Sequence, residues 1–364
     1  MIDYLKTYGH IPFADAPVND VDRLIFAQLA YMDFETVNET DCSFSYALAH
    51  ASFADSDDAS EDRFSFQRKD DLLLASLAAS CPRYQEIRFL RFTRHFDPEA
   101  ETQFAALALT MPDQHLLIAF RGTDNTLAGW KEDFNMAFMD EIPAQRMALD
   151  FLEETANDAP CVTVIGHSKG GNLALYASGA CSCSLQERIG LAVSFDGPGL
   201  NERMIRSEGL ARIRERMRVI RPRSSLVGML FEQPGNVRTI DSRVFSLLQH
   251  YPYFWKTGNM DFIYLARPSM DNVLLGKTLC GMLEKLPAEA RERFVEAVYE
   301  IISASEADTL NDLAGTWLKS AAAIAARLFR TDSDTRRLFL RVLSAFLASA
   351  AQALSGAVRR ETDP

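Results

Sequence analysis

Gly166-His167-Ser168-Lys169-Gly170 sets a serine between two glycines in a G-x-S-x-G pattern. A serine hydroxyl is a weak nucleophile alone. It becomes a strong one when a sharp turn lifts it off the backbone, a base takes its proton and N–H donors await the oxyanion. The apolar run Val162-Thr163-Val164-Ile165 reads as a short buried strand, and Asn172-Leu173-Ala174-Leu175 as the start of a helix. That is the strand-turn-helix setting a nucleophile turn requires. Gly166 and Gly170 stand where a Cβ would collide with the neighbouring strand or helix. The first N–H groups of the following helix would face a developing negative charge.

Six histidines are candidates for the base. His167 lies inside the motif with its side chain expected to point away from the serine, a structural position. His115 precedes a strand at the amino-terminal edge, and His10, His50 and His95 come before the core strands. His250, in Gln249-His250-Tyr251-Pro252-Tyr253-Phe254-Trp255, follows all of them in a loop with aromatic support. The order serine, acid, histidine then asks for a carboxylate between 168 and 250. Asp196 ends the run Leu191-Ala192-Val193-Ser194-Phe195 and precedes Gly197-Pro198-Gly199, at the carboxyl end of a strand. Asp241, after Val237–Ile240, is the alternative.

These residues need a scaffold, and the patterning describes one. Apolar runs at Leu116–Phe120, Val162–Ile165, Leu191–Phe195 and Val219–Ile220 read as strands. Helical patterns near 141–156, 172–181 and 201–217 separate the later ones, implying a parallel sheet covered on both faces. Ligands of such sheets gather at the carboxyl ends of the strands, where Ser168 falls. Ile87–Phe92 and Gln103–Thr110, broken at Asp97-Pro98-Glu99, read as an antiparallel hairpin. Residues 1–18 look extended, Asn19 or Asp20 caps a helix through Met32, and 69–80 is a short helix. From about 284 onward, alanine-rich helical patterns form a C-terminal extension.

Composition narrows the function. A net charge of −12 offers no excess of cations to neutralise phosphates, which excludes general nucleic-acid binding. No window reaches the ~18 uninterrupted apolar residues of a membrane span. Met1-Ile2-Asp3-Tyr4-Leu5-Lys6 lacks the pattern of a signal peptide, and the scattered cysteines suit reduced thiols. A cytoplasmic location is therefore expected. The acidic run Asp55–Asp62 lacks the spacing of a calcium loop and reads as solvated. Arginines 203, 206, 212, 214, 216 and 218, interleaved with glutamates, read as a mixed-charge surface, and Met136, Phe138, Met139, Met229, Leu230 and Phe231 as core, with an acyl pocket or lid as the alternative.

Leu116-Leu117-Ile118-Ala119-Phe120-Arg121-Gly122-Thr123, then Trp130 and Asp133, with Gly166-His167-Ser168-x-Gly170-Gly171, resemble the fungal-type class 3 lipases. Asn19-Asp20-Val21-Asp22, the Gly-His-Ser-Lys-Gly-Gly-Asn-Leu-Ala turn, Phe195-Asp196-Gly197-Pro198-Gly199 and Gln249-His250 are similar to an uncharacterised bacterial family of lipase-3-like α/β-hydrolases, over about residues 1–300. The resemblance implies that Thr123 and Lys169 supply the oxyanion N–H groups and that His250 is the base. Class 3 lipases carry their acid after the strand matched by Arg218–Arg221, where this chain has Pro222-Arg223-Ser224-Ser225. Asp196, one strand earlier, resembles the placement in pancreatic-type lipases. Lys169 also departs from the class 3 pattern, which has an apolar residue there. Either it pairs with an acid such as Asp133, or it meets an anionic part of the substrate.

The expectation is an α/β-hydrolase fold over 1–283, with a mostly parallel central sheet and helices on both faces, and a helical extension over 284–364. Its function would be a serine hydrolase cleaving small acyl or lipid-like esters through an acyl-serine, with no metal or organic cofactor. Thioesterase, amidase and acyltransferase chemistry share the same triad, and a non-catalytic binding module is the rival from another class. Peripheral lipid contact and self-association through the C-terminal helices stay open.

Overall fold

A computed structural model describes residues 1–266 except 38, 53–64, 98, 100, 101, 124–131, 133, 134, 137, 138, 157, 158, 224, 226 and 245–248. The acidic run, Trp130, Asp133, Phe138 and the C-terminal extension all lie outside the described residues.

The centre is a nine-stranded sheet in the order β1-β2-β3-β4-β5-β6-β7-β8-β9. Its members are β1 (Cys42–Ser43), β2 (Arg88–Asp97), β3 (Thr102–Thr110), β4 (Leu116–Phe120), β5 (Val162–His167), β6 (Ile189–Phe195), β7 (Met217–Pro222), β8 (Asn236–Ile240) and β9 (Tyr264–Leu265). The pairings from β4 through β8 are parallel. Those on the flanks, β1–β2, β2–β3, β3–β4 and β8–β9, are antiparallel. The expected mostly parallel sheet is therefore corrected to a mixed one. The hairpin was legible by itself, but β3 also hydrogen-bonds to β4 along its length and extends the sheet with antiparallel strands.

Alternation within strands separates two cores. Leu117, Ala119, Ile165, Val193, Phe195 and Ile220 join one cluster, and Leu116, Ile118, Val162, Val164, Ala192 and Val219 the other. Successive side chains of a strand point to opposite faces. Buried residues on both faces explain why β4 and β5 read as unbroken apolar runs rather than alternating ones.

The first face is covered by α1 (Ile2–Tyr8), α2 (Asp20–Leu29), α3 (Phe44–His50) and α4 (Ser65–Ser80), and the second by the helices Pro143–Thr155 and Lys169–Ala180. Asn19 caps α2 by accepting from Val21 N and Asp22 N, while the Asp22 carboxylate accepts from Asn19 N at 3.0 Å. Residues 2–8 are helical instead of extended. A seven-residue helix is not stable alone, but Tyr4 and Leu5 are buried against the first core. The helix expected over 201–217 breaks into Glu202–Ile205 and Glu208–Ile213, because Ser207 caps a new start by accepting from Leu210 N at 3.1 Å. No helix among the described residues is long and apolar enough to cross a membrane.

Candidate active site

β5 ends at His167, and Ser168 follows with φ 58° and ψ −131° before the helix Lys169–Ala180 begins. Positive φ is costly for a residue with a Cβ, so the surrounding structure must hold it. It does so by close approach: a Cβ on Gly166 would run into the Gly170 carbonyl, and one on Gly170 into the Phe120 carbonyl. Ser168 N donates to Phe195 O at 3.0 Å, pinning the turn to the end of β6.

Asp196 continues from β6 and also adopts positive φ, 52°, while its N–H donates to Ile220 O on β7 at 2.8 Å. The carboxylate is fully buried. His250 arrives on the segment after β8 and bridges the two. Its Nδ1 lies 2.7 Å from Asp196 Oδ2 and its Nε2 2.9 Å from Ser168 Oγ. A carboxylate can only accept, so Nδ1 carries the proton and Nε2 is left to accept from the serine hydroxyl. The structure thus brings Ser168, His250 and Asp196 into one hydrogen-bonded line. Asp241 stands apart. Burial alone would raise its pKa, but Lys256 at 2.8 Å and Arg223 at 3.4 Å lower it.

The segment carrying His250 is held from several sides. Trp255 Nε1 donates to Gln249 O at 2.7 Å, and Gln249 Nε2 donates to Val244 O at 2.6 Å. Tyr253 Oη donates to Asp71 at 2.5 Å and Tyr251 Oη to Asp70 at 3.1 Å, both on α4. His167 is not turned away from this chemistry: its ring stacks on His250 with centroids 4.8 Å apart.

Gly122, after β4, presses against the turn, since a Cβ there would come within 2.6 Å of His167 O and 3.0 Å of Ser168 Cβ. Thr123 follows it. Lys169, whose backbone opens the helix, is fully buried, and its Nζ lies 2.6 Å from Glu132 Oε2 and 2.8 Å from Gln103 O. Glu132 also accepts from Gln103 N and Ala144 N, each at 3.1 Å. Lys169 is therefore paired internally, with Glu132 in the role expected of Asp133, and is not presented to a substrate. A cation in a helix's first turn opposes its dipole by roughly 0.3–1 kcal/mol, and Glu132 offsets this. Sequence reading missed Glu132, which has no motif around it.

Met136 and Met229 are buried, and Met139 and Phe231 pack against the second core. Of the arginine run, Arg203, Arg206, Arg212 and Arg218 pair with Asp140, Glu202, Glu208 and Asp20. Arg216 donates to the Gln186 and Ile189 carbonyls. Among the described residues no group of three or more His, Cys, Asp or Glu could hold a metal ion.

The sequence model of a family described as Mbeg1-like matches residues 78–300, more than half of the chain. Among solved structures, a crystal structure of M37 lipase is similar at 14% identity and a TM-score of 0.38, covering 72% of this chain and 79% of that one. None of the curated proteins compared matches the chain.

Proposed function

The chain belongs to the Mbeg1-like family, a lipase-like family, and we propose that it is a serine hydrolase of carboxylic esters with Ser168, His250 and Asp196 as its triad. The observation that carries this reading is the continuous line from Ser168 Oγ through His250 to Asp196 Oδ2. His250 Nε2 takes the hydroxyl proton as Oγ attacks the carbonyl carbon, and Asp196 orients the ring and stabilises its charged form. The backbone N–H groups of Thr123 and Lys169 receive the oxyanion, and losing one such donor typically costs ~10²–10³ in rate. His250 then gives its proton to the leaving alkoxide. Water, activated by the same histidine, hydrolyses the acyl-serine.

With Lys169 Nζ committed to Glu132 and Gln103, an uncharged acyl ester fits the site better than an anionic one. A fluorophosphonate probe tests the reading. Labelling of Ser168 in the folded chain, lost in Ser168→Ala, is expected, together with hydrolysis of p-nitrophenyl esters. An unlabelled, correctly folded chain overturns it in favour of a binding role.

A further inference from the structure

His167 makes contacts that a mere spacer in the nucleophile motif would not need. Its Nε2 lies 3.0 Å from His250 O and its Nδ1 3.2 Å from Tyr31 Oη. The ring is buried, and burial first, then the neighbouring His250, hold its pKa well below the ordinary histidine range. A neutral imidazole has one N–H. The His250 carbonyl can only accept, so the proton sits on Nε2, and Nδ1 accepts from the Tyr31 hydroxyl. The His250 carbonyl therefore selects the tautomer of His167, and Tyr31, donating to the bare Nδ1, favours the same one.

The same tyrosine reaches a third segment. Its hydroxyl occupies the space that a Cβ on Gly122 would need, immediately before Thr123. One Tyr–His pair thus touches the segments carrying the nucleophile, the base and a proposed oxyanion donor. Trp255, Tyr251 and Tyr253 already anchor the rest of the His250 segment. What His167 adds is local: the position of one carbonyl and a flat ring 29° from parallel beneath the imidazole.

We propose that Tyr31 and His167 are positioning residues that set the reach of His250 toward Ser168 by fixing its backbone and its ring plane. This rests on reading Ser168, His250 and Asp196 as a triad. His167 does not itself exchange the serine proton. Both of its nitrogens are engaged, and His250 is the ring in line with Oγ.

The test is a double-mutant cycle on the full chain with p-nitrophenyl acetate. His167→Phe keeps the ring and loses the donor. Its kcat should fall about 10- to 100-fold, the scale of a small misplacement of a catalytic group, with KM within about twofold. Tyr31→Phe should fall less, about 3- to 10-fold, and should lose most of that effect in the His167→Phe background, because its hydroxyl reaches the base through that ring. Effects that multiply, or kcat within about twofold of wild type in folded His167→Phe, overturn the proposal. If His167→Phe does not fold, ¹⁵N chemical shifts of His167 in wild type and Tyr31→Phe decide. Protonated Nε2 with bare Nδ1 is expected in wild type, with Nδ1–H gaining population in the variant. An Nδ1–H tautomer in wild type overturns the inference. These shifts need no turnover, so an inactive wild type would count against the triad reading alone.

Discussion

Asp22 and Asp196 are both wholly buried, yet their carboxylates are furnished differently. Asp22 Oδ1 accepts from Arg83 Nε at 2.8 Å, Tyr84 Oη at 2.8 Å and Tyr4 Oη at 3.2 Å, and its Oδ2 from Arg83 Nη2 at 2.6 Å and Asn19 N at 3.0 Å. Arg83 is closed off in turn by the Ile11, Ala16 and Pro17 carbonyls and by the Phe13 ring. Asp196 accepts from His250 through Oδ2, while Oδ1 has no hydrogen-bond partner among the described residues. Arg221, whose charge Asp196 favours, directs Nη1 to Gly228 O instead. The first carboxylate is saturated by permanent partners and does structural work. The second has one histidine as its hydrogen-bond partner, and in the proposed reaction the charge of that histidine changes. Buried charge that is fully paired resists change, and buried charge left partly uncommitted can respond to it.

Substitution at each aspartate sharpens this contrast. The largest effect belongs to Asp196→Asn, which keeps the shape but favours the wrong tautomer of His250. Its kcat should fall ~10³–10⁴-fold with little change in melting temperature. Asp241→Asn is the control. Its side chain is 24% exposed and on another pair of partners, so turnover should hold. Equal losses at 196 and 241 would break the distinction.

Asp22→Asn should do the reverse, leaving the Arg83 charge buried and unpaired at a cost of about 3–5 kcal/mol in denaturant unfolding, with activity per folded molecule preserved.

The smallest expected effect comes from Asp71, a carboxyl pushed up to about 6 by burial and held by the neutral donors Gln28 and Tyr253. Its folded pKa lies above its unfolded one, so the folded state binds more protons between about pH 4 and 6, and this group's contribution to stability falls as pH rises through that window. Asp71→Asn can keep both donors on Oδ1. It should match wild type near pH 4 and exceed it by about 2–3 kcal/mol above pH 7. An advantage that shrinks with rising pH would contradict the assignment.

Part of this arrangement was legible beforehand. Strands β4 and β5 announce themselves because residues buried on both faces make nearly unbroken apolar runs. Ser168 stands out because its turn needs glycines, and Asp196 because the glycine-proline turn after it marks a strand end. His250 follows from order along the chain. The α1 helix was missed because seven residues carry too weak a local preference, and its burial supplies the rest. Mixed pairing was missed because a hairpin pattern does not say which strand it will border.

The chain's own order and patterning therefore determined the elements, the nucleophile turn and the side chains able to form an acid–base relay. Tertiary structure alone decided their company. Tyr31 meets His167 across 136 residues, Tyr253 meets Asp71 across 182, and Glu132 meets Lys169 across 37. Periodicity reports which face of an element is buried, because burial depends on each residue's own polarity. Which donor meets which acceptor depends on how separate elements stack, and no local pattern encodes that.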